Sequence, residues 1–363
     1  MKVAYLIGAG ASAGKRTQHM LSDGQQKSFW TGVGLPTVAE IPERLEHLIQ
    51  LLEKTNVEEL QGNINYVLEK KNLLEDLNLL LNESTRHVTI DTYAKKLVLT
   101  QRSSRLSQLE NILTTYLIYE QLTNKIDERY DAFLANILDE QRQIPENINI
   151  ISWNYDSAFD LAYHEYNENA LLPTISKNDT RCVNPKIFKI NGTATFEHYS
   201  TYSLLDDAQI NFEGATRSPH GLEKCISQEG IKKILEIYTE NHAHTNFNHG
   251  HLSFAFDTEH RLNKEFFTKM QAALSGTEIL VVIGYSFPFF NREIDLQILS
   301  ACKVLKKVYV QDINPTRTKE ILETAFLEKH ISRKVIPITD VSSFFIPTEY
   351  SILHVSADVG GVM

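Results

Sequence analysis

Cysteine is scarce. Cys182, Cys225 and Cys302 are the only three in 363 residues, and no two of them form a C-x-x-C pair. A four-cysteine zinc site within one chain is excluded, and an odd, widely spaced set does not make a disulfide framework. A reduced, cytoplasmic protein is the expectation. Long apolar runs are missing too; none approaches the roughly 18 residues that a membrane-crossing helix needs. Positive charge is in deficit, with 36 Lys and Arg against 46 Asp and Glu for a net charge of −10. Such a surface does not grip nucleic acid or anionic lipid over its whole extent, although a local basic patch is compatible with it. Proline is absent between Pro42 and Pro145, which removes the strongest helix breaker from that stretch. What is present, 42% hydrophobic and 23% charged residues, argues against a mostly disordered chain. The length suits two domains at roughly 100–200 residues each.

The N-terminus imitates a secretory signal, with Lys2, an apolar stretch and then Ala11-Ser12-Ala13. The apolar stretch, Val3–Ile7, is five residues long before Gly8, short of the roughly 7–15 that a signal needs. A strand buried on both faces is the better account.

Along the chain, residues 15–35 are polar, contain Gly24, Gly32 and Gly34, and read as loop. Leucines then recur at helical spacing. Leu45, Leu48, Ile49 and Leu52 form one stripe, Leu73, Leu77, Leu80 and Leu81 a second, and Ile112, Leu113, Tyr116, Leu117 and Tyr119 a third. These stripes serve either as the module's own core or as a surface for a partner. After Pro145 short apolar runs return at 149–153, 187–190, 278–283, 308–310 and 334–338, with a helix expected over 230–241. Strands separated by helices predict an α/β fold with a Rossmann-like doubly wound parallel sheet, interrupted by an all-helical insertion. The expected division is an α/β domain over 1–37 and 145–345, a helical module over 38–144 and a tail over 346–363.

Gly8-Ala9-Gly10-Ala11-Ser12-Ala13 follows the first run and fits G-x-G-x-x-A, the fingerprint of a dinucleotide loop. Glycines there let the backbone approach a pyrophosphate, whose oxygens accept from loop amides and a helix N-terminus. A tight strand-to-helix turn wants glycine for steric reasons as well. A hydride-transfer domain would continue with a second strand and an acidic residue about 20 positions on. Residues 18–29 are polar without a strand pattern, and Asp23 has no strand to present it, so the dehydrogenase reading weakens.

Four further segments extend the pattern: Trp153-Asn154-Tyr155-Asp156, Lys189-Ile190-Asn191-Gly192-Thr193, Ile283-Gly284-Tyr285-Ser286 and Gln311-Asp312-Ile313-Asn314. With the glycine loop they resemble, in order, the motifs of the sirtuin family, and more closely the bacterial sirtuin-like proteins of antiphage defence. There the motifs read G-A-G-x-S, T-x-N-Y/I-D, K-L-H-G-S, G-x-S or G-Y-S, and a segment ending in I-N. The resemblance covers residues 1–37 and about 145–340 and leaves the helical module outside.

The resemblance implies NAD as substrate. Gly8, Ala9, Gly10, Ala11 and Ser12 would take the diphosphate, and Gly284 and Ser286 the phosphates and adenosine ribose. Asp312 and Asn314 would lie on the adenosine side, and Asn154 and Asp156 at the nicotinamide end. Gly284-Tyr285-Ser286 also reads as an ordinary turn, Asp312 as a cap for the helix after Pro315, and Asn191 as a turn residue before Gly192.

Two departures shape the expected activity. Sirtuin deacylases usually carry a zinc ribbon of two C-x-x-C pairs, which this sequence lacks; no structural zinc and no metal are expected. The motif histidine is Asn191, and an amide cannot accept a proton near neutral pH. That disfavours deacylation more than hydrolysis, with Asp156 or His198 as substitute base. The expectation is an NAD hydrolase releasing nicotinamide and ADP-ribose as an NAD-depleting effector of antiphage defence. The alternative is a catalytically silent subunit of a nucleic-acid-targeting complex that binds NAD or ADP-ribose. The resemblance further implies a homo-oligomer and a protein partner such as a HerA-type hexameric ATPase. Neither membrane nor direct nucleic-acid binding is expected. No carboxylate-metal motif supports a nuclease.

His242, His244, His249 and His251, with Asp257 and His260 nearby, have spacing that suits either a metal site or a polar loop beside the cleft.

Overall fold

Residues 1–14, 16–20, 26–30, 33–167, 172–177, 179–194, 216–218, 221–223, 228–243, 252–254, 256, 261–326 and 334–350 are described by the computed structural model of the chain. Val3–Ile7 form β1 and Ala9–Ser12 a single helical turn, α1. Arg16–Met20 and Gln26–Trp30 pair as an antiparallel hairpin, β2 and β3. Five helices precede the next strand: α2 (Ile41–Lys54), α3 (Tyr66–Arg86), α4 (Ile90–Leu99), α5 (Ser103–Thr123) and α6 (Glu128–Ile137). Then come β4 (Ile148–Ser152), α7 (Ala158–His164), β5 (Thr174–Ser176) and β6 (Ile187–Lys189). A small hairpin, β7 (Thr216–Ser218) and β8 (Gly221–Glu223), is followed by α8 (Gln228–Ala243) and α9 (Arg261–Leu274). The chain continues through β9 (Ile279–Ile283), α10 (Arg292–Ala301), β10 (Lys307–Gln311), α11 (Pro315–Ala325) and β11 (Val335–Ile338).

The central strands are mainly apolar, with only Asn149 and Ser152 of β4 polar, because both of their faces are covered. Every residue of β1, β4 and β9 is buried. They belong to a seven-stranded sheet of order β11-β10-β9-β1-β4-β6-β5, whose pairs are all parallel. The fold is therefore α/β with a doubly wound, Rossmann-like sheet. The chain runs from β1 to one side through β4 and returns on the other through β9. The order of strands reverses beside β1, and such a switch point leaves a crevice at the carboxyl edge.

One face of the sheet packs Leu6, Ile151 and Val282 against Phe266 and Met270 of α9 and Ile298 of α10. The other packs Tyr5, Ile148 and Ile150 against Tyr130, Phe133 and Leu134 of α6 and Phe159 of α7. The third cluster is helical, uniting α2, α3, α4 and α5 with Ile231, Leu235 and Tyr238 of α8. The leucine stripes point into this cluster, so they are the module's own core.

The spatial grouping cuts across the division drawn from the sequence. α6, inside 38–144, covers the sheet, and α8, from beyond it, completes the helical body. Ile346 and Tyr350, from the expected tail, pack on the sheet beside Phe344. The β2–β3 hairpin replaces the loop expected over 15–35; its residues have no apolar alternation to betray a strand. Among the described residues no helix is long and apolar enough to cross a membrane.

α5 is buried nearly all round, which forces its polar residues to find partners inside. Thr114 and Thr115 donate to carbonyls one turn back. Glu120, fully buried, accepts a bidentate contact from Arg44 of α2. Burial of that carboxylate is tolerable only because the guanidinium stays with it.

The ends of β1 and β9 meet backbone to backbone. Gly8 N donates to Ile283 O at 3.0 Å, and Gly10 N to Gly284 O at 2.9 Å. A Cβ on Gly284 would sit 2.3 Å from Ala11 N, and φ there is +59°. Gly284→Ala is therefore expected to destabilise the fold by about 2–4 kcal/mol and lower its melting temperature by several degrees. Gly276→Ala, where an added Cβ lies 3.5 Å from its nearest neighbour, should stay within about 0.5 kcal/mol. Thermal unfolding followed by circular dichroism measures both.

Candidate functional site

Parallel strands deliver all their carboxyl ends to one edge, and the motif segments sit on those ends. β1 runs into Gly8–Ser12, β4 into 153–156, β6 into Asn191 and β9 into 284–286. A cavity of about 170 Å³ opens there between the sheet edge and the helical body. Of the residues expected at a site, Ala9, Ser12, Asn154, Asp156, Asn191, Gly284 and Ser286 line it. Its other wall comes from the helices, through Ile41 of α2, Ile90 and Asp91 of α4, and Leu113, Leu117 and Gln121 of α5.

Gly8, Gly10 and Ala11 lie behind this lining. The Gly8 and Gly10 amides donate to Ile283 O and Gly284 O, and Ala11 N donates to Gly8 O at 2.9 Å. The helix that follows the loop is the single turn α1. The glycines are explained by close approach, since a Cβ on Gly8 would lie 2.6 Å from Gly284 O. Asp312 and Asn314 stand after β10 and are not among the described lining residues. Asp312 Oδ1 accepts from Asn314 N at 2.9 Å, closing the turn before α11; the helix N-cap itself is Asn314, without a side-chain cap.

Ser12 is the centre of the polar network. Its Oγ donates to Asp156 Oδ2 at 2.7 Å, accepts from Asn154 Nδ2 at 2.8 Å and lies 2.5 Å from Tyr130 Oη. A hydroxyl has one proton and two acceptor positions, so Tyr130 must donate and Ser12 is saturated. Asn154 Nδ2 also donates to Gly8 O at 3.0 Å. That carbonyl fixes the amide's orientation and leaves Asn154 Oδ1 without a partner among the described residues. Asp156 Oδ1 accepts from Ala158 N at 3.0 Å, capping α7. Lys189 of β6, buried, donates to Asp156 O and lies 3.6 Å from Asp160 Oδ2. Burial raises the Asp160 carboxyl above its usual range, and Lys189 opposes that rise.

Asn191 Nδ2 donates to Trp153 O at 2.9 Å, while its buried Oδ1 has no partner among the described residues. The side chain thus ties β6 to the β4 turn and keeps an acceptor in reserve. It is a turn residue as well, with Gly192 after it at φ +69°.

Several site residues were not legible in the sequence. Tyr130 of α6 and Gln121 of α5, whose Oε1 accepts from Ser157 N at 2.8 Å, lie in the helical segment outside every motif. Asp91 of α4 accepts from Tyr155 Oη at 3.0 Å. Burial pushes the Asp91 carboxyl above its usual range, against the pull of the Tyr155 hydroxyl. Their only sequence signal is being polar within helices that bury apolar faces. His198, His244, His249, His251, Asp257, His260 and Cys225 lie outside the described residues, and of the histidine stretch only His242, in α8, falls within them.

The β9 side of the cavity is a rigid aromatic wall. Tyr285 stacks on Trp153 with ring centroids 5.4 Å apart and planes within 9°. Its Oη lies 3.0 Å from both oxygens of Asp295 and accepts from Asn291 Nδ2 at 3.0 Å. Desolvation in this fully buried position pushes the Asp295 carboxyl up to about 8. The folded state therefore holds that proton more tightly than an unfolded chain, where an aspartate titrates near 3.9. Its contribution to stability is complete below about pH 4 and is lost as pH rises through about 8. Asp295→Asn keeps the shape without the titration and is expected to flatten the fall in stability across that window. Chemical denaturation at intervals between those limits tests it; an unchanged pH profile would remove Asp295 as the cause.

Set against known proteins, the sequence matches no family model and no curated protein.

Proposed function

We propose that this chain is an NAD hydrolase, releasing nicotinamide and ADP-ribose by adding water across the nicotinamide–ribose bond. One observation carries the reading. Ser12, Asn154, Asp156, Asn191, Gly284 and Ser286, from four motifs far apart in the chain, line one cavity at the switch point of a parallel sheet.

The chemistry suits these residues. Breaking the glycosidic bond develops positive charge on the ribose, so fixed dipoles and carboxylates supply most of the help. Asn154 Oδ1 can orient a water or a ribose hydroxyl. Asp156, held by Ser12 and the α7 amide, keeps lone pairs for the carboxamide of the leaving nicotinamide. Asn191 Oδ1 offers one more acceptor but cannot take a proton, which favours hydrolysis over deacylation. The largely apolar helical wall limits water and strengthens these interactions.

The biological reading we favour is an NAD-depleting effector of antiphage defence, acting in an oligomer and triggered by a partner such as a HerA-type hexameric ATPase. It rests on the sirtuin-like order of the motifs. A second reading, a silent subunit that binds NAD or ADP-ribose, is favoured by Asn191 itself, whose Nδ2 is engaged by Trp153 O.

Incubating the purified chain with NAD, alone and with candidate partners, and quantifying nicotinamide separates the two. Nicotinamide release is expected. Asn154→Ala should reduce it by at least about 100-fold while the circular dichroism spectrum stays unchanged. Intact NAD binding without nicotinamide under any condition would favour the silent subunit; full activity in Asn154→Ala would refute the site.

A further inference from the structure

The chemistry of the cavity is one-sided. Among the described residues that line it are two carboxylates, Asp91 and Asp156, and no Lys, Arg or His. Among the described residues the lining also keeps unmatched polar atoms: Asn191 and Asn291, 7% and 5% exposed, each an Oδ1, and Trp153 its Nε1. A buried acceptor left unmatched is costly and is relieved by a ligand that brings an N–H or O–H. Trp153, Tyr155, Tyr285 and Phe290 supply aromatic surface, and ring faces attract cations. Two carboxylates, unmatched amide oxygens and π-faces, with no cation among the described lining, favour a positively charged ring beside them.

Asp156 belongs to a motif; Asp91 does not. It lies in the first turn of α4, whose start is fixed by Thr89 accepting from Thr92 N at 3.2 Å. Tyr155 Oη donates to Asp91 Oδ1 at 3.0 Å. Because Tyr155 stands between Asn154 and Asp156, that bond binds the helical module to the turn bearing the nicotinamide-end residues. A carboxylate in the first turn of a helix also has a plain stabilising role against the helix dipole. That role does not explain why it lines the same cavity as a second carboxylate.

We propose that Asp91 is a specificity-determining residue, making the cavity select a positively charged ring. In the setting of the hydrolase reading, on which this rests, the ring is the pyridinium of an oxidised nicotinamide nucleotide, chosen over the neutral dihydropyridine of the reduced form. The helical insertion thereby takes part in substrate choice as well as walling the site.

The test compares two dinucleotides by isothermal titration calorimetry at constant ionic strength. One is carba-NAD, which keeps the pyridinium charge but resists hydrolysis; the other is NADH. The native chain is expected to bind carba-NAD at least about tenfold more tightly, and Asp91→Asn to cut that preference about five- to tenfold, with NADH affinity changed less than about twofold. A merely structural role would weaken both ligands together. Equal weakening, or an unchanged preference in a folded Asp91→Asn variant, overturns this proposal and leaves the nucleotide reading standing. Failure of the native chain to bind either dinucleotide overturns both.

Discussion

Gly8, Gly10 and Gly284 bring the ends of two neighbouring strands into direct backbone contact, and the geometry of the cavity follows from that contact. With Gly10 N bonded to Gly284 O, the α1 turn has one position it can occupy. Other elements then hold it from different sides. Asn154 reaches Gly8 O from the β4 turn, Arg129 of α6 donates to Ala11 O at 2.8 Å, and Leu35 N donates to Ser12 O at 2.7 Å. A side chain on any of the three glycines would separate the strand ends and carry Ser12 away from Asp156.

Ser12 gains its importance from being saturated. A buried hydroxyl with an unmatched proton or lone pair would be free to rotate, and the carboxylate beside it would lose a fixed donor. Here Tyr130, Asn154 and Asp156 fill every position, so the direction of each hydrogen bond is set. Arg129, next to Tyr130, is itself held by both oxygens of Asp127. The polar centre is thus anchored to α6, which packs on the sheet through Tyr5 and Phe133, ring centroids 4.9 Å apart. Such preorganisation is what electrostatic help at a developing positive charge requires.

Strands buried on both faces were legible because they are mostly apolar, and β1, β4, β6, β9 and β10 were readable on that ground; β11, half-exposed at the sheet edge, was read from its apolar residues alone. β5, three residues at the sheet edge, has too little apolar length to be seen. The hairpin of β2 and β3 is polar and lacks alternation. The motifs located the sheet's carboxyl edge because parallel strands end there together. The helical contributions were hidden for another reason: Asp91, Gln121 and Tyr130 face the site through tertiary packing, and no local spacing marks them. For the same reason 38–144 read as one module, although α6 serves the sheet; periodicity reveals that a helix has an apolar face, not what that face covers.

The departures from the sirtuin pattern acquire a common physical logic once the helices are counted as part of the site. On the hydrolase reading we propose, an amide at position 191 withdraws a proton acceptor from the cavity, so charge developing on the ribose has to be balanced by groups already in place. The helical body contributes such a group in Asp91, and through Gln121 it fixes the Ser157 amide next to Asp156. On the hydrolase reading, the insertion therefore compensates for what the motif lacks, and it can do so only because it is packed against the sheet edge. A freely tethered module would leave Asp91 solvated, where a single charge at this range is worth little. The bond from Tyr155 to Asp91 is consequently the contact that turns a neighbouring helix into a wall of the site.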